Sequence, residues 1–132
     1  TLHLLSYSAT SREILTGVAG SAAWIAVDVS ALVPVGTKAV LLTVSPRAAP
    51  AAAGQVLVGY NFDSKNTYTP VYNTGPFSAS EYYGTGATGV SQSNWGTLIT
   101  PVSSARVFYY YRSYNTNTVN PALYAQLMGY YI

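Results

Sequence analysis

Cysteine is absent from this 132-residue chain, and ionisable side chains are scarce: six Lys or Arg, four Asp or Glu and a single histidine. Without thiols there is no disulfide, no thiolate nucleophile and no cysteine-bound metal or iron–sulfur cluster. Charged residues make up 8% of the chain, against roughly 25% in an average soluble domain. The surface must then be built from Ser, Thr, Asn and Tyr, or be covered by something other than water. The basic residues Arg12, Lys38, Arg47, Lys65, Arg106 and Arg112 are scattered, whereas a nucleic-acid footprint needs a basic stripe, so no nucleic acid is expected as a partner. No apolar run approaches the ~20 residues of a membrane-spanning helix. The longest, Ala39–Val44, is interrupted by Thr43 and has the length of a buried strand, so no membrane is expected either. The first residues lack a basic segment followed by an apolar one, and no export signal is expected.

The residues that chemistry requires are equally thin. His3 has no second His or Cys to join it as a metal ligand, and zinc sites draw on three or four such groups. A Ser–His–Asp triad would have to recruit this histidine from beside a terminus, and no G-x-S-x-G elbow is present. Glycoside hydrolysis takes two placed carboxylates, and only Glu13, Asp28, Asp63 and Glu81 are on hand. Asp28 precedes a turn and Asp63 lies in one, where carboxylates commonly accept backbone N–H bonds. Gly84, Gly86 and Gly89 spell G-x-G-x-x-G, but inside a Ser/Thr/Asn stretch without a helix-forming segment behind it, so it carries no phosphate-site meaning. No calcium-loop pattern occurs. The expectation is a protein that is not an enzyme, with no catalytic residue, no cofactor and no metal.

What is present points to strands. β-Branched and aromatic residues abound, and apolar residues recur every second position. Strands are predicted at Leu2–Tyr7, Ala22–Val29, Lys38–Ser45, Gln55–Phe62, Tyr68–Tyr72, Thr97–Val102, Arg106–Tyr111 and Leu123–Tyr131. Ser8–Glu13 is predicted as a turn. Short strands between Gly, Pro and Asn clusters predict one all-β domain over residues 1–132, an antiparallel β-sandwich with the jelly roll among its variants. Pro34 and Gly36 mark a reversal within Ser30–Thr37. The Ala/Pro-rich Pro46–Gly54 is predicted as a connection, and Asn73–Gly96 as a long irregular loop or arm that docks on its own domain or on a neighbour.

Thirteen tyrosines set the functional question. Val107, Tyr109 and Tyr111 would face one side of a strand, and Phe108 and Tyr110 the other, so neither side is ordinarily solvated. Three readings remain open. The rings build the core, or they form an interface, where tyrosine joins large area to a polar tip, or they make a platform for sugars. The residues singled out for interface or ligand contact are Tyr82, Tyr83, Trp95, Tyr110 and Tyr114.

From Trp24 to Val44 the string WIAVDVSALVPVGTKAVLLTV resembles a segment of structural proteins of tailed bacteriophages. There Trp, Asp and Ser precede a Val-Pro-x-Gly turn and an Ala-Val-Leu-Leu strand; the matching positions are Trp24, Asp28, Ser30, Val33, Pro34, Gly36, Ala39, Val40, Leu41 and Leu42. The closing LYAQLMGYYI, Leu123–Ile132, is similar to the last strand of fibre and decoration domains. The resemblance covers a minor part of the chain, and its motifs are structural. It implies a β-sandwich of the virion, assembled in the host cytoplasm as a homo-oligomer, with a trimer favoured. It does not single out which virion protein; taken with the sparse charge and the two-faced aromatic strand, it leads to the expectation of a capsid decoration (cement) protein whose partners are the major capsid protein or another virion protein. The alternative is a carbohydrate- or receptor-binding fibre or tail domain, with Trp95, Tyr82 or Tyr83 stacking on a glycan and Asn94 bonding its hydroxyls.

Overall fold

The period-two runs of the sequence become strands, and every described strand finds an antiparallel partner. The computed structural model describes residues 1–6, 12–50, 54–69, 78–86, 92–93, 95–116 and 118–132, with backbone alone at 50, 54–58, 78–86, 92–93, 113–116 and 118–120. Along these run β1 Leu2–Leu4, β2 Glu13–Val18, β3 Ile25–Asp28, β4 Ala39–Pro50, β5 Gly54–Asp63, β6 Ser78–Gly86, β7 Gln92–Ser93, β8 Gly96–Pro101, β9 Val107–Thr116 and β10 Thr118–Tyr131. They form two antiparallel sheets packed face to face, a β-sandwich. In the first sheet β10 carries β1 and β2 on one side and β4 on the other; β4 in turn pairs with β8 along Ala39–Val44 and with β7 at Arg47 and Ala48. The second sheet runs β3–β9–β5–β6.

The pairings are nested. β2 meets β10, β3 meets β9, β4 meets β8 and β5 meets β6. The chain is thus one antiparallel ribbon doubled back between β5 and β6, and successive rungs fall alternately into the first and second sheets.

Alternation sends Val40, Leu42 and Val44 of β4 and Leu123, Ala125 and Leu127 of β10 inward from one sheet, against Tyr60 and Phe62 of β5 and Phe108 and Tyr110 of β9 from the other. Phe62 lies at the centre, 6.2 Å from the Phe108 ring and 6.4 Å from Tyr110. Burying a side chain of this size stabilises the fold by about 1.5–3 kcal/mol.

The predicted reversal at Ser30–Thr37 is present. Thr37 N–H donates to the Pro34 carbonyl at 3.3 Å, and Gly36 holds φ at 93°, as the third position of a type II turn requires. Arg106, itself at φ 64°, ties this turn to the start of β9: its Nη1 donates to the Ser30 and Val33 carbonyls at 2.9 and 3.0 Å.

Three predicted boundaries need correction. Pro46–Gly54 is not a plain connection, because β4 continues to Pro50. Pro46 falls between the last rung with β8 (Val44–Gly96) and the first with β7 (Arg47–Ser93), a place where proline's missing N–H is tolerated. The Asn73–Gly96 arm contains β6, paired with β5, and the short β7; positions 73–77, 87–91 and 94 lie outside the described residues. The strand predicted at Tyr68–Tyr72 is absent at Tyr68 and Thr69, where the Tyr68 carbonyl accepts a bond from Trp24 Nε1 at 2.7 Å; 70–72 lie outside the described residues, as do 7–11, most of the predicted Ser8–Glu13 turn.

Candidate functional site

The inward set on β10 leaves Tyr124 and Gln126 pointing out of the sandwich. Register places Tyr124 opposite Ser45 and Gln126 opposite Thr43 on β4, with Glu13 of β2 on the other side of Gln126. Trp95 lies one residue before Gly96, which closes the β4–β8 ladder against Val44. These positions surround a shallow pocket of about 210 Å³, lined by Glu13, Arg47, Trp95, Tyr124 and Gln126, with Leu15 and Ala125 completing the wall.

Two features fix the Tyr124 ring. The Arg47 guanidinium sits 4.6 Å from its centroid, a cation–π contact of about 0.5–1 kcal/mol at an exposed position. On β2, Gly17 holds φ at 65°, and a Cβ there would stand 3.1 Å from the Tyr124 hydroxyl. Glycine therefore leaves the room that the phenol occupies. Trp95 remains 56% exposed at the mouth. The site thus combines two aromatic surfaces, one cation, one carboxylate and one amide.

The residues singled out by sequence are not gathered into one place. Trp95 borders the pocket on the first sheet. Tyr82 and Tyr83 belong to β6, opposite Val58 and Leu57, and Tyr114 belongs to β9, opposite Gly59; all three are in the second sheet, and their side chains lie outside the described residues. Tyr110 requires correction. It is 3% exposed and packs on Phe62, because its side of β9 faces the core, so it offers no surface to a ligand or to another subunit. The outward side of β9 is nonetheless aromatic: Trp24 packs edge-on at 5.3 Å from Tyr111 and 5.2 Å from Tyr68.

The carboxylates read as turn residues behave that way. Asp28 Oδ1 accepts from Ser30 N–H at 2.8 Å, and its bonds to Ser30, with Arg106 nearby, hold its pKa below the usual aspartate value. Asp63 Oδ1 accepts from Ser64 N–H at 2.7 Å. His3 stacks on Tyr130, with centroids 5.0 Å apart. Among the described residues, no three His, Cys, Asp or Glu side chains converge.

Sequence reasoning missed Glu13, Arg47, Tyr124 and Gln126. The alternation Leu123-Tyr124-Ala125-Gln126-Leu127 already puts Tyr124 and Gln126 outside. Arg47 was hidden by the two prolines that made its segment read as a loop. No family model matches the chain, and no curated protein is significantly similar to it.

Proposed function

We propose that this chain is a non-enzymatic structural protein of a bacteriophage virion, a capsid decoration protein that holds to the shell and to copies of itself through subunit contacts. The observation that carries this reading is an apolar end of the first sheet. Leu4 is 70% exposed and Val35 80%, with Leu2 and Ile132 also exposed. Backbone bonds from Lys38 N–H to the Tyr131 carbonyl (2.8 Å) and from Ile132 N–H to the Thr1 carbonyl (3.3 Å) bring β1, the last strand and the Pro34–Gly36 turn to that same end. Single exposed aliphatics are ordinary. Several at one end of an ion-poor surface make the kind of patch that subunits bury.

The nested pairing order supports the finer assignment to the jelly roll, an architecture shared by viral capsid and lectin domains. Adhesion of this kind stabilises a shell by mass action. With few charges involved, the contact is expected to respond little to salt. The assembly expected is a homo-oligomer, a trimer by preference, located in the virion.

Size-exclusion chromatography with light scattering tests the reading. The wild-type chain should run as an oligomer at micromolar concentration, and Leu4→Asp combined with Val35→Asp should run as a monomer. A wild-type chain that stays monomeric and does not bind shells of its companion capsid protein would sink the proposal. The second reading, a carbohydrate-binding fibre or tail domain, is favoured by the Trp95 pocket.

A further inference from the structure

We infer that the Trp95–Tyr124 pocket binds one neutral pyranose ring. The inference rests on the outer face of the first sheet and not on the virion assignment. A pyranose has an apolar face of axial C–H groups and a rim of hydroxyls, each both donor and acceptor. It therefore needs an aromatic surface flanked by groups of both hydrogen-bonding kinds. Trp95 supplies a large, partly wet indole face beside the pocket. Tyr124 supplies a second ring whose orientation is set in advance by Arg47 above it and by the room at Gly17, so little ordering remains to be done when a ligand arrives. On the rim, Glu13 is acceptor only, Arg47 donor only, and Gln126 both.

Charge and volume narrow the ligand class. Glu13 and Arg47 bring one negative and one positive charge to the same small site, which favours a neutral ligand over a uronic or sialic acid. The cavity of about 210 Å³ is below the ~300–1,000 Å³ of pockets that take drug-sized molecules. One ring fits, and the remainder of a longer glycan would extend into solvent.

The experiment is a titration of the full chain with methyl β-D-glucopyranoside, methyl β-D-galactopyranoside and methyl N-acetyl-β-D-glucosaminide, read by the indole N–H signals in a two-dimensional NMR spectrum. The chain has two tryptophans, and Trp24, whose Nε1 is bonded to the Tyr68 carbonyl, serves as internal reference. At least one glycoside should move the Trp95 signal saturably, with a Kd on the order of 1 mM, and leave Trp24 in place. Trp95→Ala should weaken binding of that glycoside, followed on backbone signals of β10, at least tenfold, whereas Trp95→Phe should retain part of it. An unchanged Trp24 signal in both variants shows that the fold is intact. The inference is overturned if all three glycosides leave Trp95 unmoved up to about 100 mM, a hundredfold above the expected Kd. It is equally overturned if only glucuronate or N-acetylneuraminate binds, or if the shifts follow protein concentration in place of glycoside, which would mark a self-association face. None of these results bears on shell binding, so the two proposals fail separately.

Discussion

Replacing Tyr60 with phenylalanine should make the protein more stable. Tyr60 points inward from β5, fully buried, and a Cβ on Gly20 would come within 3.0 Å of its ring. Among the described residues its buried hydroxyl has no hydrogen-bond partner, and burial pushes its pKa up to about 12. A buried hydroxyl left unpaired costs about 1–3 kcal/mol, while the phenyl ring keeps all the packing. Taking the lower end, Tyr60→Phe gains about 1 kcal/mol. With an unfolding entropy of about 2.1 cal/mol/K per residue, that gain raises Tm by about 3–4 °C. Alkaline pH adds a second signature. The pKa is raised in the folded state, so unfolded chains lose the Tyr60 proton first, near the ordinary value of about 10. The wild-type stability tied to this proton is whole below pH 10 and falls as pH climbs toward 12, by about 3 kcal/mol over the two pH units. The advantage of Tyr60→Phe should therefore be larger at pH 11 than at pH 8, as measured by urea denaturation at both. A variant that loses 1 kcal/mol or more at pH 8, or whose advantage does not grow with pH, would show that the hydroxyl is partnered or wet.

Two further substitutions probe the core and the platform. Phe62→Ala removes the ring between Phe108 and Tyr110 and should cost about 3–5 kcal/mol, lowering Tm by about 11–18 °C in a calorimetric scan; a loss under 1 kcal/mol would mean that the two sheets do not pack as described. Gly17→Ala puts a Cβ on a left-handed residue, a strain of about 1–2 kcal/mol, and crowds the Tyr124 hydroxyl at 3.1 Å. Urea melts should show that loss, with Gly17→Asn losing less because asparagine tolerates this conformation, and equal losses for both would refute the backbone assignment.

The strands most legible in the sequence were those whose inward residues are strongly apolar. Val40-Leu41-Leu42 and Leu123-Tyr124-Ala125 announce β4 and β10 because the core selects one residue in two. β6 was illegible for the opposite reason. Ser78-Ala79-Ser80-Glu81-Tyr82-Tyr83-Gly84 has no apolar alternation, and what makes it a strand is the row of backbone groups that β5 offers it. Propensity also misplaced the end of β4, since prolines usually stop strands and here a break in cross-strand pairing admits one. Of the candidate site only Trp95 was foreseen. Its neighbours come from β2, β4 and β10, and their meeting depends on register, which local sequence specifies poorly. Tyr110 was chosen for its ring, and period two alone could not say which of the two aromatic sides of β9 would face the core.

The doubled-back ribbon has a kinetic corollary. Only β5 and β6 are near neighbours among the rungs; each further rung encloses all those inside it, and the outermost, β1 with β10, sets Leu2 against Tyr131. Chains dominated by such distant pairings reach the native state in milliseconds to seconds, not microseconds. For that interval β2 and β10 are unsatisfied edges on an almost uncharged polypeptide, which leaves the nascent protein exposed to clumping with its own copies before the ribbon closes.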